Sequence, residues 1–216
     1  MIHASRFIIL NVTRTGEKSL VLHTLSPVWG RRSFIVTAGK GASMSLFLPL
    51  SVIDAEVVEN SKSDLWRMRS IAAAHPLCGL RGSVSKNAIT MFLSEVLYRT
   101  VRDGACEDGL FEWCERSILT LDALPSDFAN YHLRWLLELC GALGFAPSLE
   151  DLMPFAGDRL AELRELLRLD FAGCMMLPLS GRVRNEIADI LLQYLGYHCD
   201  CRIDCRSLGV LGEVFR

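Results

Sequence analysis

Half of the 216 residues are apolar, yet no apolar run reaches about 18 residues. A membrane-spanning helix is therefore not expected, while enough apolar side chains remain for a sizeable core. There is no Gly-x-x-x-x-Gly-Lys-Ser/Thr loop, and Gly39-Lys40-Gly41 is too short to cradle phosphates in that way. No Gly-x-Ser-x-Gly elbow occurs, and the five histidines are scattered without metal-helix spacing. Asp200 and Asp204 lie beside cysteines, and Asp54 and Glu56 share a strand face, but nothing positions either pair as acid and base. These classes of catalytic site are therefore disfavoured, and no cofactor is expected. Internal repeats and low-complexity segments are missing. Met1-Ile2-His3-Ala4-Ser5-Arg6 has neither the charged nor the apolar region of a signal peptide, which predicts a cytoplasmic protein. Its eight cysteines then read as reduced thiols, with Cys114 and Cys140 inside helical patterns.

What the chain does have is a charge split hidden by a net charge of −2. Residues 1–102 hold 13 Lys+Arg against 6 Asp+Glu, a balance of +7; residues 103–216 hold 10 against 19, a balance of −9. A basic module facing a polyanion, joined to an acidic module that does not, would produce this asymmetry. Within the basic half, residues 1–60 carry only +2 and residues 61–102 carry +5. The positive surface is therefore expected to peak where the last strand meets the first helix.

Strand patterns fill the first part of the chain: Arg6–Val12, Ser19–Leu25, Arg31–Ala38, Leu46–Val58 bent at Pro49, and Leu65–Ile71. Glycine-bearing turns separate them at Gly16, Gly30 and Gly39–Gly41. Five short strands with such turns suggest a small closed barrel of the oligonucleotide/oligosaccharide-binding (OB) type. After His75-Pro76 the period becomes helical. Helices are predicted over Ser83–Val101, Asp108–Leu124, Asp127–Leu143, Asp158–Leu169 with Asp158 as N-cap, Gly181–Leu195 and Ser207–Phe215, and a loop over Phe145–Gly157. The expected class is α+β: an OB-type barrel over residues 1–78 and an α-helical bundle over residues 79–216.

The order of these pieces resembles the bacterial recombination-mediator family RecO. Gly16-Glu17-Lys18-Ser19-Leu20-Val21-Leu22-His23-Thr24-Leu25, followed by Gly30-Arg31-Arg32-Ser33-Phe34-Ile35-Val36 and Gly39-Lys40-Gly41, looks like that family's barrel start. His75-Pro76-Leu77 running into Ala88–Leu97 is similar to its entry into the helical domain. Arg184–Leu192 with Ser207–Phe215 is similar to its ending. The resemblance implies a non-enzymatic, nucleoid-associated DNA repair protein. Such a protein binds single- and double-stranded DNA, anneals complementary strands, contacts the single-strand-binding protein and, with RecR, helps load RecA. The chain departs from the family at Ala146–Pro154, where many members carry zinc-binding cysteines and this one has none. No zinc finger is expected.

Arg14, Lys18, Arg31, Arg32, Lys40, Arg67 and Arg69 are candidate phosphate contacts on the barrel, and Arg81 and Lys86 extend them toward the helices. Arg81, Lys86, Arg99 and Arg102 also read as plain helix charges. Trp29 and Phe34 are candidate base-stacking platforms, with barrel core the favoured reading of Phe34. Arg134, Arg182 and Arg184 are candidates for an acidic, aromatic partner peptide such as the single-strand-binding protein's tail, or else ordinary bundle charges. Cys199, Cys201 and Cys205 with His198, and Cys174 as a further ligand, match zinc spacing poorly. Metal, disulfide and free thiols all remain readings of that tail. The alternative to a DNA mediator is a barrel that binds a peptide or polysaccharide.

Overall fold

The computed structural model describes residues 1–17, 19–37 and 44–215. Lys18 and Lys40, both candidate phosphate contacts, lie outside the described residues. Five strands, β1 (Ile2–Arg14), β2 (Ser19–Ser26), β3 (Gly30–Thr37), β4 (Val52–Val58) and β5 (Trp66–Ala73), close into a barrel in the order β1-β2-β3-β5-β4. The OB-type barrel followed by helices is what the strand and helix periods predict.

The long first strand closes the barrel. From Ile2 to Ile8 it pairs with β4, and from Ile8 to Arg14 with β2. A register shift between Ile9 and Asn11 leaves Leu10 as the extra residue of a bulge, which lets one strand bend between two neighbours. Alternate residues feed the interior: Phe7 and Ile9, Leu20 and Leu22, Phe34 and Val36, and Ile53, Ala55 and Val57 share one cluster. Phe47 joins them from a 3₁₀ turn, Met44–Phe47. That turn corrects the expected bent strand over Leu46–Val58. Leu50 takes a left-handed backbone (φ 55°) beside Pro49, and Leu50 N–H donates to Ile9 O at 2.8 Å, so the strand starts only at Val52.

The chain divides into two compact units, and the division is discontinuous: Met1–Cys78 with Val101–Ile118, and Gly79–Thr100 with Leu119 onward. Residues 101–118, expected among the helices, return to the barrel unit because β3 offers them unpaired backbone. Arg31 N–H donates to Ala105 O at 3.1 Å, and Gly104 N–H donates to Arg31 O at 2.8 Å. Gly30, with φ 57°, permits this approach, since a Cβ there would overlap Ala105 O. Within the same unit Glu115 accepts from Arg6 Nη1 at 3.0 Å and contacts His75 Nε2 at 3.0 Å.

The second unit is built of α2 (Val84–Thr100) packed on α9 (Arg206–Val214), and α4 (Tyr131–Ala142) packed on α8 (Gly181–His198). α1 (Cys78–Arg81) and α3 (Leu110–Ala123) run across the boundary of the two units. The expected loop at Phe145–Gly157 contains α5 (Leu149–Ala156), started by a capping box: Ser148 Oγ accepts from Asp151 N–H, and Asp151 Oδ2 accepts from Ser148 N–H. Asp158 is not an N-cap; it sits in a 3₁₀ turn ahead of α6 (Leu160–Arg168). α7 (Phe171–Met176) lies outside the predicted helices; Asp170 caps it by accepting from Gly173 N–H at 2.8 Å. α4 starts at Tyr131 instead of Asp127, whose φ is 57°. Among the described residues no helix is long and apolar enough to cross a membrane.

Two stability tests follow from these contacts. Gly30→Ala combines a left-handed backbone, which costs a non-glycine residue about 1–3 kcal/mol, with displacement of Ala105. Urea unfolding should show a loss of at least that size, and an unchanged midpoint would contradict the contact. His132 is 1 % exposed on α4, edge-on to Phe92, and burial pushes its pKa from 6.5 down to about 3. Below pH 6.5 the unfolded chain binds a proton that the folded chain refuses, so stability is full above that pH and falls toward pH 3. His132→Phe should flatten this acid limb by about 1.4 kcal/mol per pH unit, read from unfolding midpoints between pH 4 and 7.

Candidate nucleic-acid interface

One end of the barrel is filled by rings. Trp29, in the turn between β2 and β3, stacks on Phe7 with centroids 5.9 Å apart and planes 6° apart. It also meets Phe34 edge-on at 6.0 Å and Trp66 at 6.2 Å. Phe34 is 0 % exposed and belongs to the core, so it is no stacking platform for a base. Trp29 is half-buried and keeps part of its ring at the surface. Arg32 shares the inward face of β3 with Phe34, and its guanidinium lies 3.6 Å from the centre of the Trp66 ring. Its Nη2 donates to Asp64 O at 3.3 Å. Sequence reasoning missed Trp66. The signal was an arginine facing inward at a strand end, which needs an aromatic or acceptor partner there.

The barrel is joined most briefly between β3 and β5, a parallel pairing with two register pairs, Phe34↔Trp66 and Ile35↔Arg67. Beside this seam lies a groove of about 1100 Å³, lined among others by Ile35, Leu46, Phe47, Glu59, Arg67 and Ile71. Arg67 and Arg69 are both exposed on β5, on either side of buried Met68. They differ in their bonding. Arg69 Nε donates to Glu56 Oε2 at 3.0 Å, and Ser70 Oγ donates to the same oxygen at 3.2 Å. Ser70 has φ 53° and sits in a bulge where Asp54 pairs with Ala72 and Glu56 with Arg69. Glu56 thus fastens the bulge, and the bulge turns Ile71 back toward the core. Among the described residues no ion pair involves Arg67 or Arg14, and both are exposed. Arg31 is half-buried and donates from Nη1 to Val101 O at 2.7 Å.

The helical unit treats its basic residues differently. Lys86 is 4 % exposed, and its ammonium donates to Asp122 O at 2.9 Å and Leu124 O at 2.5 Å, where α3 ends. A cation at a helix C-terminus is well placed there. Lys86 is therefore withdrawn from any DNA-facing surface. Arg81 is half-buried, and desolvation lowers its pKa despite nearby Asp122. Arg99 pairs with Glu95 at 3.0 Å. Arg67, Arg69 and exposed Arg102 belong to the barrel unit, whereas Arg81, Lys86 and Arg99 belong to the helical unit.

The three arginines considered for a partner peptide are on separate duties. Arg134 donates to Glu138 at 2.6 Å and to Leu169 O at 3.0 Å. Arg184 donates to Leu179 O and Phe215 O, each at 2.6 Å. Arg182 is 84 % exposed and pairs with Glu186 at 2.8 Å. α4 buries Tyr131, Leu133, Trp135, Leu136, Leu137 and Leu139.

A family model described as Recombination protein O C terminal matches residues 81–153. The DNA repair protein RecO of Bacteroides fragilis is 28 % identical over 236 residues, covering 96 % of this chain and 97 % of its own. RecO of Flavobacterium psychrophilum is 27 % identical with 98 % of each chain covered, and RecO of Porphyromonas gingivalis 29 % with 92 % and 93 %. Along nearly its whole length the chain is similar to DNA repair proteins named RecO.

Ala146–Pro154 contains no cysteine and holds the capping box and the start of α5. Among the described residues no three His, Cys, Asp or Glu side chains are grouped to hold a metal ion. Cys205 precedes α9, and its thiol pKa is pushed up to about 12 by burial. Cys201 Sγ donates to Arg99 O at 3.7 Å. Cys174 is buried, with Sγ 3.4 Å from Leu166 O, and His198 stacks on Phe145 at 4.8 Å.

The contrast between Lys86 and the barrel arginines can be measured. Lys86→Met strands two carbonyls at the end of α3 and should lower stability by about 1–3 kcal/mol. The salt dependence of DNA binding should stay as in the parent chain; a flatter slope would return Lys86 to the interface.

Proposed function

We propose that this chain is a DNA-binding recombination mediator. In this reading the barrel holds single- and double-stranded DNA and the protein promotes annealing of complementary strands. It works with a RecR-like protein and the single-strand-binding protein to load RecA in bacterial cells, at the nucleoid, as a binder and not a catalyst. The observation that carries the reading is the match to DNA repair proteins named RecO across barrel and helices alike. The geometry supports it: a closed barrel with a groove of about 1100 Å³ along its shortest seam and an exposed arginine, Arg67, on the groove wall.

The electrostatics favour a few contacts at the barrel over a broad basic field. Arg67 and Arg14 are exposed to meet phosphates. Arg69 is held by Glu56 in a pair whose side chains are 51 % and 38 % exposed. Such a pair is worth about 0–1 kcal/mol and can be exchanged for a phosphate at little cost. Arg31 acts mainly through the barrel unit it braces, by its bond to Val101 O. For a partner's acidic tail, Arg182 is the exposed candidate of the three, and Arg134 and Arg184 hold helix ends together.

Anisotropy titrations of a labelled single-stranded oligonucleotide between 50 and 200 mM salt test the reading. Affinity should fall linearly on logarithmic axes, and Arg67→Ala should reduce the slope by about 0.7, the share of one phosphate on a single strand. Absence of binding at low salt, or binding indifferent to salt, would sink it.

A further inference from the structure

Beside the ring-filled end of the barrel is a second, smaller pocket of about 520 Å³, lined among others by Val28, Trp29, Arg32, Asp64, Asp103 and Cys106. All of these residues belong to the barrel unit. One wall exists only because residues 101–118 return to β3: Gly104 N–H is fixed on Arg31 O at 2.8 Å, and Cys106 Sγ reaches Pro27 O at 3.6 Å. Another is the guanidinium of Arg32, whose Cζ lies 3.6 Å from the centre of the Trp66 ring and whose Nη2 donates to Asp64 O. Trp29 is set by its stack on Phe7.

Three properties select a ligand. The volume falls within the roughly 300–1,000 Å³ of small-molecule pockets, which admits a single planar ring system with its sugar. The charge is one arginine against two carboxylates, which disfavours a phosphate inside. The arginine plane and the Trp29 edge are already immobilised, so stacking onto them costs little side-chain entropy; guanidinium planes and indoles are surfaces on which unpaired bases stack.

We propose that this pocket seats one unpaired nucleobase of a bound single strand, stacked at Arg32, while phosphates lie on exposed arginines outside it. The proposal rests on the DNA-binding reading and goes beyond it by assigning a base subsite away from the seam groove. Arg32 is the stacking residue and Trp66 positions it.

The test compares two labelled oligomers of equal length and charge, one of thymidines and one of abasic backbone. The parent chain should bind the thymidine oligomer about tenfold more tightly, within the range measured for single base–ring stacks, with quenching of tryptophan fluorescence. Arg32→Lys, which keeps the charge and loses the plane, should bring the ratio near one and leave abasic binding and its salt slope unaltered. Val28→Trp, at a rim position 61 % exposed, should do the same by filling the mouth without touching the core. Equal affinity of the parent chain for the two oligomers overturns the base subsite and leaves the DNA reading standing. A ratio that survives both variants overturns it as well. Failure of both oligomers to bind overturns the DNA reading itself, and the subsite with it.

Discussion

The barrel depends on one strand serving two partners. β1 spends its first half against β4 and its second half against β2, and the bulge at Leu10 is the joint between them. Without that joint the five strands would form an open sheet with two bare edges, each a row of unpaired backbone groups. Closure places Phe7 and Ile9 against Phe34 and Val36, which in turn seats Trp29 and Trp66 at the barrel end. It also leaves the first residue pair of β3 facing outward toward residues 103–105. The candidate interface is therefore a by-product of how the barrel closes: its aromatic floor is the top of the core, and its wall is a segment borrowed from beyond the first long helix.

Much of this was legible in the residues. The alternation of Leu20, Leu22, Phe34, Val36, Ile53, Ala55 and Val57 announces strands with one buried face, and the switch to helical spacing after Pro76 marks where they stop. What stayed hidden was long-range. Nothing in the composition of residues 101–118 shows that they pack with the barrel, since the decisive contacts are main-chain groups of Arg31, Gly104 and Ala105. α5 was hidden by a different cause. The helix contains Pro154, and the reciprocal hydrogen bonds of Ser148 and Asp151 start it.

The candidate site was harder to read than the fold, because charge in a sequence does not say what the charge is doing. Lys86 and Arg67 are equivalent in composition. One is sealed against two carbonyls at the end of α3 and the other stands exposed beside a groove. Arg32 is a third case: neither exposed charge nor ion pair, but a plane pinned to an indole. A count of basic residues does not say which of them are held: in the helical unit Lys86 is bonded to two carbonyls and Arg99 to Glu95. Burial and hydrogen bonding then reassigned the helical members to structural work.

The seam between β3 and β5, held by two register pairs, has a further consequence for the time-dependent behaviour of the barrel. Local opening follows the segments with the fewest backbone bonds and least buried apolar contact. Amide protons along this seam should thus exchange with solvent before those of the β1–β2 ladder. A barrel that breathes at one edge, next to its groove, can admit a flexible polymer without unfolding elsewhere.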